Sequence, residues 1–204
     1  MIHLLGIDDA TASGYALLSA ERGADPLIVA SSVLHLKPRE SYSRQIYRVL
    51  RGLPVAPNHA AVEMPVPYYE DGHLRNFKGF LTQCGIFALW TDAIFECFKI
   101  RPEIVAPSKW QSPIHKGTFG ESTKSKSFNF CLRKWDYRPC DDNEADALCI
   151  AFWLHTRYSF TLPVSGGSTP ADRIKAAINA NIIRNGGDPL TLQLLMEKEK
   201  KHAK

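Results

Sequence analysis

Apolar positions along the chain recur with two different periods. Ile2 to Ile7 is a short apolar run, Gly14 to Leu18 follows after Thr-Ala-Ser, and Leu27 to Leu36 is a third run behind Asp25-Pro26, rich in Val and Ile. Runs of this kind set between turn residues predict consecutive strands joined by tight turns. From Ser41 to Leu53 the spacing becomes helical, with Tyr42, Ile46, Val49, Leu50 and Leu53 on one face up to Pro54. His59 to Met64 reads as a fourth strand, stopped by Pro65 and Pro67. A long helix is predicted from Leu74 to Phe98 and a short fifth strand from Ile104 to Ala106. Ser108 to Ser122, polar and glycine-containing, reads as a loop. Lys124 to Trp135 and Asn143 to Tyr158 read as helices, the second with a core face of Ala147, Leu148, Ile150, Ala151 and Leu154.

A strand meander followed by helix-linked strands predicts an α/β domain, a mixed sheet covered by helices on both faces. That domain is expected to span residues 1–160. Pro163 to Ser168 reads as a linker. Thr169, Pro170 and Asp172 open a further helix that ends at Asn185-Gly186-Gly187, and Asp188-Pro189 opens another. Residues 161–204 are therefore expected to be a helical appendage.

With 204 residues, 45% hydrophobic and 23% charged, the composition is that of a globular chain and excludes wholesale disorder. No stretch approaches the roughly 18 apolar residues that a membrane span requires. Met1 to Ala10 has no basic region before its apolar run, so no signal peptide is expected. The five cysteines form no C-x-x-C pair, which points away from a zinc site or disulfide framework and toward a reducing cytoplasm. The net charge of +4 is compatible with an anionic partner.

The chemistry is concentrated in acids at element ends. Asp8 closes the first strand, Glu63 the fourth, and Asp141-Asp142-Asn143-Glu144-Ala145-Asp146 opens the last core helix. Asp142 and Asp146 lie four apart and share one helix face. Asp141 reads as the N-cap, paired with Glu144 in a capping-box pattern, and Asp9 as a turn residue. If the first and fourth strands are neighbours, Asp8 and Glu63 converge and the helix adds Asp146, with Asp142 one turn away. Such a group cannot all stay ionised without a counter-charge. Mg²⁺ or Mn²⁺ supplies it through oxygen ligands, and two ions about 4 Å apart suit phosphodiester hydrolysis. The competing reading is that these acids only cap and solvate element ends.

Leu5-Gly6-Ile7-Asp8 followed by Ser13-Gly14-Tyr15-Ala16-Leu17 resembles the opening of the RuvC family of Holliday-junction resolvases, within the ribonuclease H-like superfamily. Val62-Glu63-Met64-Pro65 and Glu144-Ala145-Asp146-Ala147-Leu148 resemble its second and third motifs. Gln83-Cys84-Gly85 and Val105-Ala106-Pro107-Ser108-Lys109-Trp110 fall at matching places between them. The resemblance covers most of residues 1–158. It implies a ribonuclease H-like five-stranded mixed sheet and a metal-dependent, homodimeric endonuclease that cuts a four-way DNA junction. Asp8, Glu63 and Asp146 become catalytic metal ligands for Mg²⁺ or Mn²⁺. Asn143 stands three residues before Asp146, so Asp142 is the better fourth acid. Residues 161–204 have no family counterpart, which fits a phage-like or divergent branch.

Between Lys109 and Arg138, seven cations face only Glu121 and Asp136. Clustered cations of this kind release counterions from DNA, and Lys109, Lys116, Lys124 and Lys126 are the candidate phosphate contacts. The family often carries an aromatic after its second motif, which makes Tyr68 and Tyr69 the candidates for stacking on junction bases. Trp110 reads as core, and His115 has no assigned role. The long helix carries more aromatic surface than one face needs, as a dimer interface would. Two rivals are a catalytically silent junction-binding protein and an ATP-binding fold of the sugar-kinase type. The latter needs a duplicated domain and a second phosphate loop absent from the sequence.

Overall fold

The computed structural model describes residues 1–21, 24–71 and 73–158. The linker and the helices expected in residues 161–204 lie outside the described residues. Three strands form the expected meander, with β1 (Ile2–Asp8) antiparallel to β2 (Ala12–Ala20) and β2 antiparallel to β3 (Leu27–His35). Helix α1 (Tyr42–Arg51) carries the chain back past β1 to β4 (His59–Glu63), which lies parallel to β1 on its other side. A hairpin of two-residue strands, β5 (Tyr69–Glu70) and β6 (His73–Leu74), leads into the long helix α2 (Phe77–Phe98). Strand β7 (Glu103–Val105) then adds parallel to β4, giving the order β3-β2-β1-β4-β7. Helices α3 (Pro107–His115), α4 (Thr123–Trp135) and α5 (Asp142–Tyr158) complete the domain.

The period-two alternation of the central strands divides the core. Leu5, Ile7, Leu17, Ala60 and Val62 face α1 and α2, packing against Ile46, Leu50, Ile86 and Trp90. Leu4, Ala16, Leu18 and Ala61 face the other way, under Trp110 of α3, Phe130 of α4 and Ala147, Leu148 and Ala151 of α5. Two glycines let α5 approach the sheet this closely. A Cβ on Gly6 would collide with the Ala147 carbonyl oxygen, and one on Gly14 with that of Asn143. The glycines of the first motif therefore set how deep the last helix sits.

Two expectations are corrected. Most of the segment expected as a loop, Ser108 to Ser122, is helix α3. It starts with Pro107 in its first turn and buries Trp110 and Ile114, one helical turn apart. The polar residues around them are its solvent face. The long helix begins at Phe77 rather than Leu74. Asn76 caps it in a left-handed conformation, and the preceding residues form the β5–β6 hairpin, whose strands are too short to show a period.

Candidate active site

The chain makes β1, β2 and β3 in one direction and then crosses over to place β4 and β7 on the other side of β1. In open α/β sheets the crevice beyond the carboxyl ends of strands at such a reversal is the usual ligand position. Asp8 and Glu63 end the two strands that flank it. Ile7 is in register with Val62, so Asp8 and Glu63 are the next residues on neighbouring parallel strands. Ile7 and Val62 point toward α1 and α2, so the two carboxylates project toward α5, where Asp146 lies in the second turn.

The electrostatics show how close these groups are. Burial lifts the Asp8 carboxyl well above its ordinary value, and Glu63, Asp146 and Asp9 raise it further. Glu63 is also raised by burial, against the opposing effect of hydrogen bonds from the Trp110 indole and Asp8. Asp146 is pushed up to about 7 by burial, with Glu63 and Asp142 adding to it and the Ser127 hydroxyl opposing. The Oδ1 atom of Asp146 is sealed from solvent and has no hydrogen-bond partner.

Asp9 is more than a turn residue. It is fully buried, neither carboxylate oxygen has a hydrogen-bond partner, and burial followed by Glu63 pushes it up to about 8. Its sequence signal was a second acid directly after Asp8 in an apolar setting. Glu144, in the first turn of α5, shows what a structural acid looks like instead. Burial would raise it, but hydrogen bonds from the Cys140 amide, Ser31 and Tyr137 hold it below its ordinary value. Asp141 caps α5 as expected, accepting from the Glu144 amide at 2.9 Å. Glu144 reaches back to Cys140 rather than to Asp141, so the capping box is displaced by one residue.

Two indoles fix the strand ends. Trp110, fully buried on α3, donates to Glu63 Oε1 at 2.9 Å. Trp90, fully buried on α2, donates at 3.0 Å to the Ser13 hydroxyl, which in turn bonds the Ala10 carbonyl in the turn after Asp9. Trp110 is thus a core residue that also holds a site carboxylate. His115 lies on α3 with its Nε2 3.0 Å from the Ser127 hydroxyl, behind Asp146.

Asp142 is paired with Lys124 at the mouth of the site, and that pairing is the main reason the Lys124 ammonium is raised. Lys109 and Lys116 are exposed on α3 and just after it, and Lys126 is half-buried on α4. Tyr68 and Tyr69 are both exposed, and only Tyr68 lines a groove of about 560 Å³ with Thr11, Arg75, Lys78 and Gln83. Arg75 and Lys78 are cations that the count over residues 109–138 did not reach.

Among the described residues, no three His, Cys, Asp or Glu side chains stand around a common point as a bound ion requires. Asp8 and Glu63 instead end neighbouring strands and perturb each other's carboxyls, and Asp142 pairs with Lys124. The donor set is nonetheless all oxygen, with buried carboxylate oxygens that lack partners, which suits a hard divalent cation.

No protein-family model matches the sequence, and no curated protein matches it. Solved structures do. Thermus thermophilus RuvC in complex with a Holliday junction substrate aligns at 17% identity and a TM-score of 0.60, over 75% of this chain and 92% of that one. A second T. thermophilus RuvC structure aligns at 22% identity and a TM-score of 0.57, over 78% and 95%. The chain has the RuvC-like, ribonuclease H-like fold.

Proposed function

We propose that this chain is a divalent-metal-dependent endonuclease that cuts branched DNA, four-way junctions foremost. The observation that carries the reading is that Asp8 and Glu63, remote in sequence, end neighbouring parallel strands at one sheet edge, with Asp146 on the helix packed over it and all three carboxyls raised by burial. These three would hold Mg²⁺ or Mn²⁺, with Asp142 joining on release from Lys124. Bound ions would activate a water and stabilise the leaving oxygen of a phosphodiester. The residues around them orient: Trp110 holds Glu63, and Ser127 favours the ionised form of Asp146. Lys109, Lys116, Lys124 and Lys126 would take phosphates, and Tyr68 or Tyr69 would stack on an unpaired base. The structural neighbour bound to a Holliday junction supports the substrate class. The exposed row Phe77, Leu81 and Phe95 on α2 supports a homodimer.

A labelled four-way junction incubated with the protein and Mg²⁺ tests this. Paired cuts near the branch point are expected, abolished by Asp8→Asn with binding retained. Binding without cutting by either protein would favour a silent junction binder. A ladder of products from any DNA would point to a general nuclease.

A further inference from the structure

Helix α1 carries a basic stripe that no part of the proposed site uses. Arg44, Arg48 and Arg51 recur at four- and three-residue steps and are all exposed, while Ile46 and Leu50 on the opposite face are buried. Lys37 and Arg39, in the segment leading into the helix, are exposed as well. The one acid in this stretch, Glu40, pairs with Arg48 at 2.5 Å. Arg44 and Arg39 have no carboxylate within ion-pair distance among the described residues.

Ordinary helix stability does not explain the whole stripe. Arg48 and Arg51 lie in the last turn, where cations favour the helix dipole. Arg44 lies in the first turn, where the dipole opposes a cation and where no acid accompanies it. A cation held against the dipole without a partner is better suited to an external anion.

The position of the stripe says which anion. The Leu36 amide bonds the Thr11 carbonyl, so the segment leading into α1 starts at the sheet edge that carries Asp8. From there α1 runs back along the face of the sheet opposite to α4 and α5. Lys124 stands at the same edge on the other face, next to Asp142. Cations thus leave the acidic edge in two directions, one track on each face of the sheet. A single straight duplex has no use for two tracks diverging from one cutting point; a branched nucleic acid does.

We infer that the outer face of α1 binds the phosphate backbone of a second duplex arm, away from the arm held by α3 and α4. This rests on the proposed reading of the chain as a branched-DNA nuclease. The three arginines span about 10 Å along the helix axis, enough to follow a few consecutive phosphates of one strand.

The test is anisotropy titration of two fluorescent four-way junctions, one with long arms and one with arms cut to a few base pairs, in Ca²⁺ at roughly 50 to 200 mM salt. The proteins are wild type, the triple variant Arg44→Ala, Arg48→Ala, Arg51→Ala, and the matching triple Lys variant. Three lost phosphate contacts flatten the log–log salt slope by about 2.7, so wild type should lose about 40-fold more affinity than the Ala variant across that range. The deficit of the Ala variant should appear on the long-armed junction only, and the Lys variant should behave like wild type. Equal affinity and slope for the Ala variant on long arms would overturn the inference, and would leave an acidic protein as the partner to seek. Equal loss on both junctions would also overturn it, because the effect would then lie at the branch point. If wild type shows no preference for branched DNA over linear duplex, it is the branched-DNA reading itself that fails.

Discussion

At the scale of single residues, satisfied and unsatisfied buried acids separate structure from chemistry. Glu144 has donors on both oxygens, whereas Asp9 has none and Asp146 lacks one on Oδ1. Asp9 keeps its proton up to about 8 and Asp146 up to about 7 in the folded chain, against about 3.9 for an exposed aspartate. Between those limits these two groups bind more protons in the folded state than in the unfolded one, so their contribution to stability falls as pH rises from about 4 to about 8, against the opposite contribution of His59, His115 and His155, which burial lowers. Compared with the wild type, the metal-free Asp9→Asn variant should lose less melting temperature, or gain more, between about pH 6 and about pH 8. An unchanged slope in Asp9→Asn would show that Asp9 is not the group responsible. Trp110 offers a second test. Trp110→Phe keeps an aromatic ring and deletes the donor to Glu63, and loss of such a supporting bond typically costs about 10–100-fold in metal affinity. Mn²⁺ titration should show that loss. Trp135→Phe, which deletes a comparable bond to the Pro26 carbonyl, should destabilise the fold and leave Mn²⁺ affinity alone.

At the scale of elements, what could be read from sequence was set by length and burial. The central strands β1, β2 and β4 are buried on both faces and so read as short apolar runs, while α1, α4 and α5 are long enough to show a helical period. Helix α3 was hidden because its buried face is only Trp110 and Ile114, and Pro113 inside it argues locally against a helix. Pro107 followed by two apolar residues one turn apart was the available signal. The acids were legible as strand and helix ends, but their meeting was not, because it depends on register and on how deeply α5 sits. Gly14 is the element-scale control on that depth. Gly14→Ala places a methyl against the backbone of Asn143 and Glu144, where neither side has a flexible atom to yield. The cost should be at least about 3 kcal/mol, at the upper end for overpacking. Denaturant unfolding measures it; a loss below about 1 kcal/mol, the low end for overpacking, would mean that α5 shifts freely and that Asp146 is not fixed by this contact.

At the scale of the whole molecule, the proposed activity implies a second copy, because one acidic edge would cut only one strand at a time and symmetric resolution of a junction takes two cuts. Among the described residues, α2 offers a surface for such pairing. Phe77, Leu81, Gly85, Ala88 and Phe95 all lie exposed along its outer side, and a side chain added at Gly85 would meet nothing. Over the helical rise this row extends about 27 Å, and it is interrupted only by Asp92. An apolar row open to water suits association, and small residues at its centre would let two helices approach closely. Leu81→Glu should therefore convert a dimer into a monomer by light scattering and abolish the dependence of the melting temperature on protein concentration, while the protomer, in which Leu81 is half exposed, stays folded. On a junction labelled on two strands, the monomer should release single nicks where wild type gives paired cuts. A wild-type monomer at junction-binding concentrations would remove α2 as the interface, and paired cutting by Leu81→Glu would show that the two copies meet through another surface.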